Sequence, residues 1–310
     1  MDIAIGIGRD LGLSDDQRTM LATAAGKAGY ASAWTNATGI ESLALCERWA
    51  RESDIATGIA AVPTLGAEVP ELAKRARRLG ELSGGRFVLG VGIGPAKDLA
   101  AVSGRPRPIG RMREHLEGLR SANVPIYLAG VGPQMLQLAG AMADGSIPNY
   151  MDPPQIAWAR ERLDEGARAA GRDPKSVRIA QFVRACVDDD VVAARRAVAK
   201  AAFAYALSKP GEPRVGTYYS MTRMGLGPDL DALEDRRARG ASDDELADAC
   251  PDHVLRRLGA WGREAEVLAD LHRLSEGLDI AIVRIVSARP GTDSALTTIR
   301  ACAPSRWKAN

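Results

Sequence analysis

The feature that most constrains this chain is a strand-like segment followed by a helix-like one, repeated along its length. Residues 2–8 alternate large and small side chains with period two, which predicts a strand. Ser14-Asp15-Asp16-Gln17 reads as a capping box, because the serine hydroxyl and the glutamine amide can satisfy free N–H groups at a helix start. Met20, Leu21, Ala24, Ala25 and Ala28 follow at helical spacing, and Gly29 suits the stop. The pattern then predicts a strand near 31–36, a helix near 40–52, a strand over Ile55–Val62 and a helix marked by Val69, Leu72, Ala73, Ala76 and Leu79. Further strands are predicted at 86–94, 125–130, 145–149, 177–187 and 279–287, with helices near 109–121, 133–142, 153–170 and 292–301. Eight strands, each followed by a helix, predict a parallel sheet closed into a (β/α)8 TIM barrel of the α/β class. A doubly wound open sheet is the alternative.

The seventh unit is oversized. Residues 188–278 form a helical insertion between strands 7 and 8, with helices expected near 191–205, 229–239, 243–259 and 264–276 and a long loop over 209–228. A loop of that length is uncommon unless functional or disordered. With no composition break to force a second domain, residues 1–310 are read as one barrel domain, its insertion capping the C-terminal face. Lys plus Arg is 41 against 39 Asp plus Glu. So small an excess leaves no electrostatic footprint for nucleic acid or an anionic membrane. No apolar run reaches the roughly 18 residues of a membrane span, and no leader sequence is visible at the start. Cys46, Cys186, Cys250 and Cys302 are widely spaced, so no metal-ligating motif is predicted, and a reduced, cytoplasmic protein with buried cysteines is expected.

Two segments carry a chemical signal. In Phe87-Val88-Leu89-Gly90-Val91-Gly92-Ile93-Gly94 the large residues share one face and three glycines share the other. Glycine weakens a strand, so this face points to a close approach by something else. In a barrel it opens the interior near the C-terminal end, where active sites lie. Tight packing inside the barrel is the alternative. Pro95 breaks the dinucleotide fingerprint. The second segment is Gly130-Val131-Gly132-Pro133, a turn feeding an apolar helix. Free N–H groups and the positive end of the helix dipole suit a phosphate there, held by backbone because the turn has no Lys or Arg. A plain βα turn is the alternative.

Glu81 to Gly94 resembles the hallmark stretch of the bacterial luciferase-like family of flavin and deazaflavin oxidoreductases. Val124 to Gly145 resembles that family's fifth βα unit, and Gly29 to Trp34 and Thr57-Gly58-Ile59 fall in its order. The resemblance implies a TIM barrel that holds coenzyme F420 or, alternatively, FMN at its C-terminal face, and the fifth unit looks more like the F420-dependent branch. It implies Gly130, Val131 and Gly132 at the cofactor phosphate with help from Asn149. Gly92, Ile93, Gly94 and Asp98 would line the ring or ribityl chain, and Gly58-Ile59 would lie at a non-prolyl cis peptide behind the ring. The activity implied is hydride transfer between the deazaflavin and a small-molecule substrate, with Asn36 or Thr38 bonding the substrate or relaying a proton. The alternatives are an FMN-dependent monooxygenase and a non-catalytic ligand-binding barrel. A homodimer is expected.

The chain departs from the F420-dependent sugar-phosphate enzymes of that family at their acid–base positions. Ala37 and Thr38 replace an Asp-His pair, and Pro95 replaces a Glu, so that subfamily's substrate does not carry over. Arg284, inside the apolar eighth strand, is unusual for an unpaired charge. It is either paired in the barrel interior or placed near an anionic substrate. Arg9 and Glu41 are weaker candidates at the ends of strands one and two. His115, His253 and His272 fall on predicted helices and are read either as surface residues or as residues standing behind the site.

Overall fold

The computed structural model describes residues 1–65, 67–94, 107–207 and 216–308. Strands β1 (Asp2–Gly6), β2 (Ser32–Thr35), β3 (Ala56–Pro63), β4 (Phe87–Gly92), β5 (Ile126–Leu128), β6 (Gly145–Ser146) and β7 (Arg178–Val187) pair in chain order. A later strand, β9 (Ile280–Ile285), lies between β7 and β1 and closes the ring. Every pairing is parallel, so the eight strands form a TIM barrel.

Period-two alternation sorts the side chains into two cores. Ile3, Ile5, Ile7, Phe87, Leu89, Val91, Ala281, Val283 and Ile285 point outward and pack under the helices. Ala4, Trp34, Ala60, Tyr127, Ile147, Ala180, Ile280 and Ile282 point inward and fill the barrel. Glycines make room for the two largest inner rings. A Cβ on Gly58 would lie 2.4 Å from the Trp34 indole, and one on Gly145 would lie 2.7 Å from the Tyr127 ring.

The outer helices are α1 (Asp15–Lys27), α2 (Leu43–Glu52), α3 (Val69–Leu82), α4 (Pro108–Leu119), α5 (Pro133–Met142) and α6 (Pro153–Ala169). The Ser14–Gln17 capping box forms as predicted. Helices α5 and α6 meet backbone to backbone. A Cβ on Gly140 would lie 2.0 Å from the Leu163 carbonyl oxygen, and one on Gly166 would lie 1.9 Å from that of Gln137.

Between β7 and β9 lie α7 (Val191–Ala206), α8 (Thr217–Arg223), α9 (Gly227–Ala238), α10 (Asp243–Ala249), α11 (Asp252–Leu258), strand β8 (Gly259–Gly262) and α12 (Glu264–Leu274); α13 (Asp293–Ala301) follows β9. Phe203, Met221, Leu230, Leu246 and Leu255 form the insertion's own apolar cluster, which Tyr150 joins to the barrel. Arg257 pairs with Asp152, whose side chain is 4% exposed and caps α6, so the insertion is fastened at the C-terminal end of β6.

Three local expectations need correction. The segment expected to be a loop over 209–228 contains α8 and the start of α9. The helix expected over 243–259 is two helices, because Cys250 before Pro251 is extended (φ −71°, ψ 126°) and proline disfavours helical backbone in the residue before it. The short β8 has no counterpart in the predicted pattern. It extends the sheet along β7, pairing Arg184–Val187 on the edge away from β9.

Candidate active site

The C-terminal mouth of the barrel gathers the polar groups. At its β5 side, Gly132 caps the N-terminus of α5 with no side-chain hydrogen bond, and Pro133 occupies the first turn. Among the described residues no side chain caps α5, so its first N–H groups are left facing the turn. A Cβ on Gly132 would meet nothing within 4 Å, so there is open space over the turn. Gly132 has φ −89°, which any residue can adopt. Gly130 is required by packing, since its Cβ would lie 2.3 Å from Met135 Cγ.

A cation that sequence reading missed joins this turn. Arg223 at the end of α8 donates from Nη2 to the Val131 carbonyl at 2.8 Å and from Nε to Gln155 Oε1 at 3.2 Å. Its guanidinium lies 4.5 Å from the Trp158 ring centroid. Desolvation lowers its pKa, and no carboxylate opposes that shift. The positive charge is held beside this turn without a counterion among the described residues.

The β3–β4 side forms a narrow floor. The non-prolyl cis peptide lies at Ala60–Ala61, not at Gly58–Ile59. It coincides with the register shift between Ile59 and Val62, where β3 departs from regular pairing with β4. Gly90 faces this irregular backbone, and its Cβ would lie 2.4 Å from the Ile59 carbonyl oxygen. Gly92, nearer the mouth, has ordinary room beside Ala61 and Ala129. Buried Thr64 donates to the Gly92 carbonyl at 3.1 Å and lies 2.7 Å from His115 Nδ1. With the hydroxyl proton used on Gly92, Nδ1–H is the donor to Thr64. Burial, then Arg111, lowers the His115 pKa. His115 is therefore half-buried behind the strand end, one of the two places expected for it.

Opposite, two arginines stand side by side. Arg184 on β7 and Arg284 on β9 are register partners on the inner face, 6% and 7% exposed. Arg184 donates to Asn149 Oδ1 and to the Phe182 carbonyl, and lies 3.8 Å from the Tyr150 ring centroid. Arg284 pairs through Nη2 with Asp10, and its buried Nη1 has no hydrogen-bond partner. Burial lowers the Arg284 pKa, Asp10 opposes this, and the Arg184 charge adds to it. Burial also pushes the Tyr150 phenol to about 12, so it stays neutral.

The other predicted residues divide between the mouth and the frame. Asn36 accepts from the Arg9 backbone N–H at 3.0 Å, and Thr38 donates to Glu41 at 3.2 Å; both lie beyond the end of β2. Gly58 is one layer down, against Trp34, and the Ile59 side chain packs in the outer core. Ile93 packs on the outer core, and Gly94 has φ +102°, a conformation suited to glycine. Asn149 is tied to Arg184. Asp98 and Pro95 lie outside the described residues. Asp10, not Arg9, is the β1-end residue that engages the interior. No sequence pattern distinguishes the two.

Comparison with known proteins places this architecture. The family model described as luciferase-like monooxygenase matches residues 16–123 and 100–279 in overlapping segments. The chain is 27% identical over 239 residues to a 5,10-methylenetetrahydromethanopterin reductase of Methanolobus tindarius, covering 68% of this chain and 70% of that protein. Among solved structures, it shares the fold of the coenzyme F420-dependent tetrahydromethanopterin reductase of Methanopyrus kandleri (TM-score 0.77, 18% identity, 98% and 97% of the two chains). It also shares the fold of an F420-dependent secondary alcohol dehydrogenase (TM-score 0.73, 16% identity, 97% and 98%). By the extent of the family match, together with the barrel and its glycine-lined mouth, this chain belongs to the luciferase-like monooxygenase family.

Proposed function

We propose that this chain is an F420-dependent oxidoreductase acting on a small organic substrate, and that it works in the cytoplasm as a homodimer of single-domain subunits. The observation that carries the reading is the β5–α5 turn, where open space over Gly132, uncapped N–H groups and the uncompensated Arg223 meet. Similarity to a methylenetetrahydromethanopterin reductase, and the fold shared with two F420-dependent enzymes, supports F420 over FMN.

The residues present fit such a cofactor. The turn and Arg223 would hold its phosphate, and Gly92 beside Ala61 leaves room without side-chain bulk that would admit its ring. When bound, the deazaflavin supplies hydride chemistry at its C5, and the protein supplies orientation and electrostatics. Asn36 has its carbonyl oxygen occupied by Arg9 N–H, so its amide N–H2 is free to donate to a substrate oxygen. The Thr38 hydroxyl, which donates to Glu41 at the end of β2, can turn to bond a substrate oxygen or pass it a proton. Reduced F420 mixed with a panel of enones and imines tests the activity. Oxidation above background for at least one class, reduced several-fold by Thr38→Val, is expected. No oxidation across a broad panel would favour a ligand-binding barrel without turnover.

A further inference from the structure

We propose that Arg184 and Arg284 form a receptor for the carboxylate of a small monoanionic substrate. The proposal rests on the redox reading of this mouth only for the chemistry after binding. Both side chains project from the inner face at the C-terminal ends of adjacent strands, where barrel chemistry takes place. Asp10 pairs with Arg284, and among the described residues no carboxylate pairs with Arg184. Arg184 is otherwise held by neutral groups: the Asn149 amide oxygen, the Phe182 carbonyl and the Tyr150 and Tyr205 rings, at 3.8 and 5.2 Å. Among the described residues the cluster carries an excess of one positive charge, buried.

A structural ion pair does not need the second arginine. The Asp10 side chain is 59% exposed, so water screens its pair with Arg284 and the pair adds little stability, and an additional like charge beside it works against the fold. Arg284 also keeps one buried Nη1 without an acceptor, and buried donors are normally satisfied. Gly8 appears in the sequence where this guanidinium needs space: a Cβ there would lie 1.6 Å from Arg284 Nη2. The planar fork suits a carboxylate held by two N–H donors. The single excess charge matches a monocarboxylate better than a phosphate dianion.

The test uses crotonate and crotonamide, which share a shape and differ in charge, titrated calorimetrically into the full chain with and without F420. The wild-type protein is expected to bind crotonate at least tenfold more tightly. In Arg284→Gln the two ligands are expected to bind within about twofold of each other. Gly8→Ala, which keeps both arginines and displaces one guanidinium, is expected to lose most of the preference. Circular dichroism reports folding of both variants. Equal binding of the two ligands by wild type, or a preference retained in either folded variant, overturns the proposal. F420 affinity is expected to be the same in wild type and Arg284→Gln. A tenfold loss there assigns the pair to the cofactor's own acidic groups and also overturns it. If F420 does not bind and the free chain still prefers crotonate, the F420 reading fails and the carboxylate receptor stands.

Discussion

Replacing Arg223 with alanine removes the cation that the insertion brings to the β5–α5 turn, and its effect on cofactor binding can be worked out from its surroundings. The guanidinium reaches the Val131 carbonyl at 2.8 Å and is backed by Trp158, so a phosphate over the turn gains a charged donor already in position. A hydrogen bond to a charged group contributes about 1.5–3 kcal/mol. Arg223 is exposed to solvent, which screens the charge and lowers the figure to about 1–2 kcal/mol. At 1.4 kcal/mol per decade, Arg223→Ala weakens F420 binding about 5–30-fold. The assay is a fluorescence titration of F420 at low salt and at roughly 0.3 M salt, where screening shortens the reach of an exposed charge. Wild-type affinity falls with salt, the alanine variant is flatter, and Arg223→Lys lies between. A Kd for Arg223→Ala within twofold of wild type at low salt, with the same salt dependence, refutes the placement of the phosphate beside α8.

Three further perturbations probe the turn, the frame and the strand-four floor. Gly132→Val fills the open space over the turn at a φ that valine tolerates, so F420 binding drops more than tenfold while the circular dichroism spectrum is kept. Gly166→Ala forces a Cβ against the Gln137 carbonyl, a backbone atom that cannot swing away; a destabilisation of about 1–3 kcal/mol, read as a lower urea midpoint, is expected. His115 has a pKa below its ordinary 6.5 in the folded chain, so the unfolded chain binds its proton first and stability falls as pH drops below about 6.5 toward the folded value. Urea unfolding at pH 7.5 and pH 5 therefore shows a smaller acid-side loss in His115→Ala than in wild type; an unchanged loss contradicts the assignment.

The barrel was legible because its strands and helices carry local patterns. The helix expected at 133–142 is α5 to the residue, and the alternation in Phe87–Gly94 correctly separated an outward apolar face from an inward glycine face. β8 was missed because Gly259-Ala260-Trp261-Gly262 is short and glycine-bounded, and its strand character comes from pairing with β7. α8 was hidden in a segment rich in Gly, Pro and Tyr, residues that argue against helix locally. The cis peptide was placed two residues early because a bulge in β3 leaves no periodic mark.

The site was legible where glycine supplies it and illegible where side chains meet across the fold. Arg284 stood out as a charge in an apolar strand, but its partner Asp10 is 274 residues away. Arg223 and Val131 are 92 residues apart, and only the folded insertion brings them together. The bond from His115 to Thr64 crosses from α4 to the end of β3, so no local pattern chooses between a surface position and one behind the site.

The central claim is that this barrel mouth takes the deazaflavin, and parallel titrations of the purified chain with F420 and FMN test it most directly. Saturable F420 binding at least tenfold tighter than FMN binding, and weakened by Gly132→Val, is expected. Tighter binding of FMN, or F420 binding unaffected by Gly132→Val in a folded protein, would contradict it.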